Sequence, residues 1–372
     1  MKRLHMLRSG NFVDSGRQSI NHYFVPDIIK QNLLFSWGWN LVGQLGDGTT
    51  TNRHTPTFIS TNWNKINTGI GRHSLGLRSD GRLFAWGSNT VGQLGDGTNI
   101  HKSIPTLIGT DTWIAISGGT RHSLGIRSDG RLFAWGLNDL SQLGDGTTTS
   151  RLTPTLIGAD TWIAISGGTR HSLGIRSDGR LFAWGDNRLG QLGDGTIVNR
   201  TIPTLIGTDT WIAISGGGDH SLGIRLDGRL FAWGLNDRGQ LGDGTATNRQ
   251  TPTLIGADTW MMIDAEGSHS LGLLSDGRLF AWGLNDRGQL GDGTIINRPI
   301  PTLIGTDTWM MIDAGDNHSL GLRSDGRLFA WGSNGVGQLG DGTTTDRHTP
   351  TLIGTDTWKT ITAGAGHSLG LR

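Results

Sequence analysis

The sequence predicts an all-β fold, a seven-bladed β-propeller of four-stranded antiparallel blades, and three observations predict it. A Trp-Gly pair recurs seven times at a constant 49-residue interval, at Trp37, Trp86, Trp135, Trp184, Trp233, Trp282 and Trp331. A histidine series keeps the same beat, at His73, His122, His171, His220, His269, His318 and His367. Each unit also holds several short runs of alternating apolar and polar residues, the period of a half-buried strand. A repeat of roughly 40 to 50 residues built from such runs is the mark of a propeller blade, since one unit cannot bury its apolar faces without neighbours. The seven units account for residues 30–372 and form one propeller domain, with residues 1–29 outside the pattern as an N-terminal tail or lead-in.

The elements follow in order within one repeat. In the third copy, Trp162–Ser166, His171–Arg176, Arg180–Trp184 and Thr201–Ile206 are four strand-like runs. Asp178-Gly179 stands between the second and third, and the same pair recurs at Asp80-Gly81, Asp129-Gly130, Asp227-Gly228, Asp276-Gly277 and Asp325-Gly326. Asp-Gly between alternating runs predicts a two-residue type I′ hairpin with positive φ at both central residues. The seventh such hairpin is split between the chain ends. His367–Arg372 supplies its first strand and Asn32–Trp37 its second. Pairing them completes the last blade and removes both open sheet edges, so the ring is expected to close by its N- and C-terminal strands.

Composition sets limits. The 62 glycines recur at fixed offsets, which indicates tight turns in place of low-complexity disorder. Cysteine is absent, excluding disulfides and thiolate metal sites, and a net charge of +1 gives no global reason to bind nucleic acid or an anionic membrane. Met1–Arg8 is basic, but no apolar segment follows that would make a secretory signal or a membrane span, so a soluble cytoplasmic protein is the default expectation. Arg17 and the few acids near it leave organelle targeting open.

Most conspicuous residues read as scaffold. Fourteen of the 15 tryptophans fall into two series, the second being Trp63, Trp113, Trp162, Trp211, Trp260, Trp309 and Trp358, and strand phenylalanines from Phe35 to Phe329 repeat likewise. Aromatics at equivalent strand positions suit the contact between successive blades, where truncation to Ala costs roughly 3–5 kcal/mol. The histidines lack the close spacing of a chelating pair and read as hydrogen-bonding core residues. The aspartates of Gln-Leu-Gly-Asp-Gly-Thr, from Asp47 to Asp341, lack the alternating acidic ligands of a calcium loop and read as turns that satisfy their own amides. No nucleophile with a base partner and no nucleotide fingerprint stands out, so neither catalysis nor a cofactor or metal is expected. The nearly uniform inner strands also argue against a catalytic centre in the central channel.

Variation gathers in two loops, the pair of residues before each His and the stretch around Gln-Leu-Gly-Asp-Gly, and antiparallel connectivity puts both on one face. Functional residues concentrate on loops held by a rigid scaffold, so that face is the candidate binding surface. Its charge is uneven. The residue before the His is Arg72, Arg121 and Arg170 in the first three repeats and Asp219, Ser268, Asn317 and Gly366 in the rest, with Glu266 and Asp316 close by. Further out, every repeat carries a cation at one loop position: Arg53, Lys102, Arg151, Arg200, Arg249, Arg298 and Arg347. These outer cations either pair with loop aspartates or form a binding ring. The arc of Arg72, Arg121 and Arg170 could dock an acidic partner, or the acidic half of a second copy of the chain.

The pattern Trp-Gly-x-Asn-x-x-Gly-Gln-Leu-Gly-Asp-Gly, then Pro, then Gly-x-x-His-Ser-Leu-Gly-Leu, resembles the repeat of the regulator of chromosome condensation family across residues 30–372. The resemblance implies a seven-bladed propeller that acts by binding other proteins. Activities known in the family are guanine-nucleotide exchange on a small GTPase, chromatin binding, ultraviolet-B perception in plants and inhibition of β-lactamases. The founding exchange factor presses an extra β-wedge on its GTPase, and the constant 49-residue spacing leaves no room for such an insertion. Thr120-Arg121-His122 and Thr169-Arg170-His171 are similar to the Trp-Arg-His motif of the plant photoreceptor only at Arg and His, and the missing Trp argues against light sensing. The expected function is a non-catalytic, protein-binding propeller, with a guanine-nucleotide exchange factor or other small-GTPase regulator as the alternative.

Overall fold

Seven antiparallel sheets of four strands stand around one axis in the computed structural model, which describes residues 32–372. The proposed tail, residues 1–29, lies outside the described residues. Those described hold strands and turns, and no helix long and apolar enough to cross a membrane. In a representative blade, the C-terminal part of the strand Lys102–Gly118 lies innermost and pairs with His122–Arg127. That strand pairs with Arg131–Gly136, which in turn pairs with the start of Arg151–Gly167. The last blade is assembled from both ends of the chain: Leu34–Gly38 pairs with His367–Leu371 in unbroken register, Leu34 opposite Leu371 and Gly38 opposite His367. The ring is closed by these strands, as the sequence predicts.

Two local expectations need correction. The outer strand of one blade and the innermost strand of the next are not separate runs in the middle of the chain but single 17- or 18-residue strands such as Arg151–Gly167 and Arg249–Glu266. Thr161 still pairs with Arg131, and the next residue, Trp162, already pairs with Arg176 in the following blade. A glycine with φ near +60°, such as Gly158, lets the chain bend while it stays extended. The Asp-Gly hairpins are also not two-residue type I′ turns. Gly81 N–H donates to the Arg78 carbonyl and only Gly81, at φ +81°, is left-handed, so the loop is Ser79-Asp80-Gly81: a type I turn closed by a glycine bulge.

The apolar core lies between blades. Leu124, Ile126, Leu132 and Ala134 of one blade pack with Trp162, Phe182 and Trp184 of the next, and six equivalent clusters complete the ring. Trp162 meets Phe182 edge-on at 5.4 Å and Trp184 at 6.0 Å. Gly174 permits this, because a Cβ there would sit 2.8 Å from the Trp162 ring.

A circuit of hydrogen bonds binds the blades. The Nε2 of each periodic histidine lies 2.9 Å from a serine Oγ one blade on: His73 to Ser123, His122 to Ser172, and so on to His367, which reaches Ser74 and closes the ring. Each serine hydroxyl donates to a glutamine carbonyl, as Ser123 does to Gln93 at 2.8 Å. The serine proton is thereby committed, so Nε2 carries an imidazole proton and donates it, and a buried Nδ1 with no acceptor opposite it favours the neutral ring. Burial agrees, depressing their pKa from 6.5 to about 3 or 4.

Candidate functional site at the channel mouth

The innermost strands line the channel and end at the loops that precede each histidine. Four residues after the inner-strand Trp stands a polar side chain: Asn67, Ser117, Ser166, Ser215, Asp264, Asp313 or Thr362. Each accepts a hydrogen bond of 2.6–3.3 Å from a backbone N–H in the next blade, a second closed ring that runs from Gly118 N–H on Asn67 to Thr68 N–H on Thr362. The expectation of a uniform channel therefore fails: one register position carries four residue types, and two of them, Asp264 and Asp313, are acidic. Beyond this ring the pre-histidine loops touch one another through main-chain bonds, among them Gly218 N–H to Gly267 O and Ala365 N–H to Gly71 O. The mouth is a connected collar and its side chains have fixed anchors.

One side of the collar is basic. Arg72, Arg121 and Arg170 are exposed, and none forms an ion pair with a described residue. Arg72 lies over the ring of Trp39 at 4.3 Å, a cation–π stack that holds the guanidinium in place, and Arg121 reaches Thr90 Oγ1 at 3.3 Å. Arg72 and Arg121 line a cavity of about 510 Å³ together with Thr120, Thr169 and, from the far side, Asp316. Arg170 differs. It faces a neighbouring cavity of about 470 Å³ with Asp186, Arg188 and Asp219, where Arg188 is already paired to Asp186 at 2.7 Å. Burial and the Asp186 charge raise the Asp219 carboxyl, and Arg170 and Arg188 oppose them.

The other side is acidic. Asp264 accepts from Ser215 Oγ at 3.0 Å and from Ala314 N–H at 2.6 Å, and Asp313 from Ala363 N–H at 2.6 Å. Desolvation raises the pKa of both, and the charge of Asp264 raises Asp313 further. Glu266 is 8% exposed, and its Oε2 has no hydrogen-bond partner. Burial comes first among the causes that raise its pKa, followed by the charges of Asp264, Asp313 and Asp316. Asp316 is raised by desolvation.

The outer cations lie away from this mouth, each on its own loop's aspartate: Arg53 on Asp47, Lys102 on Asp96, Arg151 on Asp145, Arg200 on Asp194, Arg249 on Asp243, Arg298 on Asp292 and Arg347 on Asp341, at 2.5–3.2 Å. The aspartate side chains are 4–7% exposed, and the same carboxylates accept from threonine and asparagine, as Asp145 does from Thr147 and Asn138. Each pair locks a loop.

Sequence reasoning missed Trp39 and the acidic inner-strand positions. Trp39 is the fifteenth tryptophan, outside both periodic series, and the equivalent positions hold Ser88, Leu137, Asp186, Leu235, Leu284 and Ser333. Its aperiodicity was the available signal. Asp264 and Asp313 are visible when the inner strands are read down one register column.

Among the described residues no group of three or more His, Asp or Glu is drawn together closely enough to hold a metal ion. The model of the RCC1-like domain matches residues 153–371, and that of the regulator of chromosome condensation (RCC1) repeat matches residues 31–69, 80–126 and 129–175. The chain belongs to the RCC1 repeat family. A second model of the same repeat matches residues 64–93 and 113–142. No individually curated protein sequence matches the chain. Among solved structures, Prp20p from Saccharomyces cerevisiae, described with its binding properties to Gsp1p and histones, is 22% identical and superposes with a TM-score of 0.84 over 92% of each chain. Human WBSCR16 is also 22% identical, with a TM-score of 0.82 over 91% of this chain and 98% of its own. At such identities the likeness is one of fold.

Proposed function

We propose that the channel-mouth face docks an acidic protein partner without catalysing a reaction, with Arg72, Arg121 and Arg170 as the charged contacts and Trp39 as the anchor. The observation that carries this reading is the Arg72–Trp39 stack. A half-exposed aromatic that packs no core holds an arginine free of any described carboxylate, and Trp and Arg are the residue types that dominate binding energy at protein interfaces. Arg121 extends the same positive edge along the cavity. Regulation of a small GTPase is the second reading, favoured by membership of the RCC1 repeat family and by a structural neighbour described as binding Gsp1p.

The test compares the native protein with an Arg72→Glu/Arg121→Glu/Arg170→Glu variant whose fold is verified by circular dichroism. Retention of one partner by the native chain and its loss from the variant supports the docking face. Equal retention by both removes the arc from the interface. Acceleration of nucleotide release from a captured GTPase selects the second reading, and sedimentation of both forms reports whether the partner is a second copy.

A further inference from the structure

Glu266 breaks a rule that the other six repeats keep. The sixth residue after the inner-strand Trp is glycine in all of them: Gly69, Gly119, Gly168, Gly217, Gly315 and Gly364. The rule is steric. A Cβ at Gly119 or Gly168 would lie 2.2 Å from Cε1 of its own ring histidine, at Gly217 or Gly315 2.4 Å, and at Gly69 2.1 Å from the Gly118 carbonyl. Repeat five accommodates its side chain by carrying the inner strand one residue further, with Glu266 opposite His269, where the strands of the three preceding repeats stop one residue earlier.

What the glycine was exchanged for is a carboxylate nine-tenths buried, with one oxygen unpartnered and three further acids about it. No arginine or lysine among the described residues pairs with Glu266, Asp264, Asp313 or Asp316. Packing does not explain such a residue, since a glycine serves the fold in six blades. A buried carboxylate without a partner is destabilising unless it takes up a proton or a positive charge arrives from outside. The four acids are not gathered tightly enough for a metal ion. A planar guanidinium, with five N–H donors spread over a fork, fits separated carboxylates where a point charge does not. Asp316 also lines the cavity shared with Arg72 and Arg121, so a segment seated on the basic edge reaches the acidic one.

We propose that Glu266 and Asp316, backed by Asp264 and Asp313, form a receptor for an arginine side chain of the docked partner. This rests on the reading of the mouth as a docking face and adds that the partner presents a cation among its acids. Agmatine, a guanidinium without a carboxylate, serves as the probe and is titrated by calorimetry into the native chain and into Glu266→Gly and Glu266→Gln. Glu266→Gly restores the residue of the other six blades and is expected to fold, which circular dichroism checks. Saturable 1:1 binding to the native chain, at least tenfold weaker in both variants and severalfold weaker with butylamine, is the expected result. Absence of binding, equal binding by either variant, equal affinity for butylamine, or calcium binding abolished by the same substitutions would overturn the proposal. The Arg72→Glu/Arg121→Glu/Arg170→Glu variant is expected to keep its agmatine affinity, so the two halves of the mouth fail or stand separately.

Discussion

Two closed rings of seven hydrogen bonds circle the same axis, and the chain treats them differently. In the outer ring every donor is histidine and every acceptor serine, copied without exception from His73–Ser123 to His367–Ser74. In the inner ring the same task falls to Asn67, three serines, Asp264, Asp313 and Thr362. The difference follows from what supplies the bond. The outer ring takes both partners from side chains fully buried between blades, so a change at either orphans the other. The inner ring takes its donor from the backbone, which no substitution removes, and any side-chain oxygen of about the right reach completes it. Positions where the main chain supplies half of an interaction are the ones free to acquire charge, and in this molecule the charge appears there.

Acid separates the rings most. The histidines have folded pKa values of about 3 to 4 against 6.5 unfolded, so between these limits the unfolded chain binds more protons and stability rises with pH. Their contribution is fully present above pH 6.5 and is lost on the way to pH 4, each site giving about 1.4 kcal/mol per pH unit and the seven together on the order of 10 kcal/mol per unit. The raised carboxyls of Asp264, Asp313 and Glu266 act in the opposite sense, holding protons more tightly when folded, but they are fewer. Urea unfolding at stepped pH should show a steep loss of stability as the pH falls from 6 toward 4. A flat profile would mean that the histidines are not neutral in the fold.

Single substitutions sharpen the same contrast. Ser123→Ala removes the acceptor of the buried His73 proton and should cost about 1–3 kcal/mol, whereas Ser166→Ala leaves one N–H beside the channel and should cost about 1 kcal/mol or less. Equal costs, measured by denaturant midpoints, would erase the distinction drawn between the rings. Glu266→Gly goes the other way. It removes a buried carboxyl with an unpartnered oxygen at about 1–3 kcal/mol and gives back about 0.5–1 kcal/mol in backbone entropy, so the variant should be more stable than the native chain by about 1–2 kcal/mol at pH 7. A loss of stability would show that Glu266 serves the fold after all.

The repeats made the architecture readable because each blade restates the pattern, and closure was readable because the split hairpin left complementary ends. The turn type was misread for a local reason. Asp-Gly fits two hairpin geometries, and the deciding residue is the one before it, Ser79 in the first copy, which lengthens the loop to three. The long crossing strands were hidden by Gly158 and its equivalents, whose sequence looks like a turn and whose backbone stays extended. At the mouth, Arg72 and Arg121 were legible as departures from the repeat. Trp39 was lost among fourteen periodic tryptophans, and the depth of Glu266 was invisible because burial depends on strands brought in from two blades.

The smallest effect is expected at the outer cations, and its smallness is informative. Seven equivalent ion pairs at 2.5–3.2 Å suggest a major source of stability. Yet Arg151 is one-third exposed, and Asp145 already accepts from the Thr147 amide and hydroxyl and the Asn138 amide. Burial alone would raise the Asp145 carboxyl, and these bonds, with Arg151, hold it below the usual range. Removing the arginine leaves the carboxylate satisfied, so Arg151→Ala should cost about 0–1 kcal/mol, as exposed pairs do. Asn138→Ala should cost more than Arg151→Ala, because its side-chain nitrogen ties Asp145 to the carbonyls of Thr147 and Thr149 and its oxygen receives the Leu143 amide. If the order were reversed, the loops would be held by charge, and 1 M salt would loosen them. If it holds, they are held by amide hydrogen bonds that salt leaves intact, and the seven cations do not set the stability of the ring.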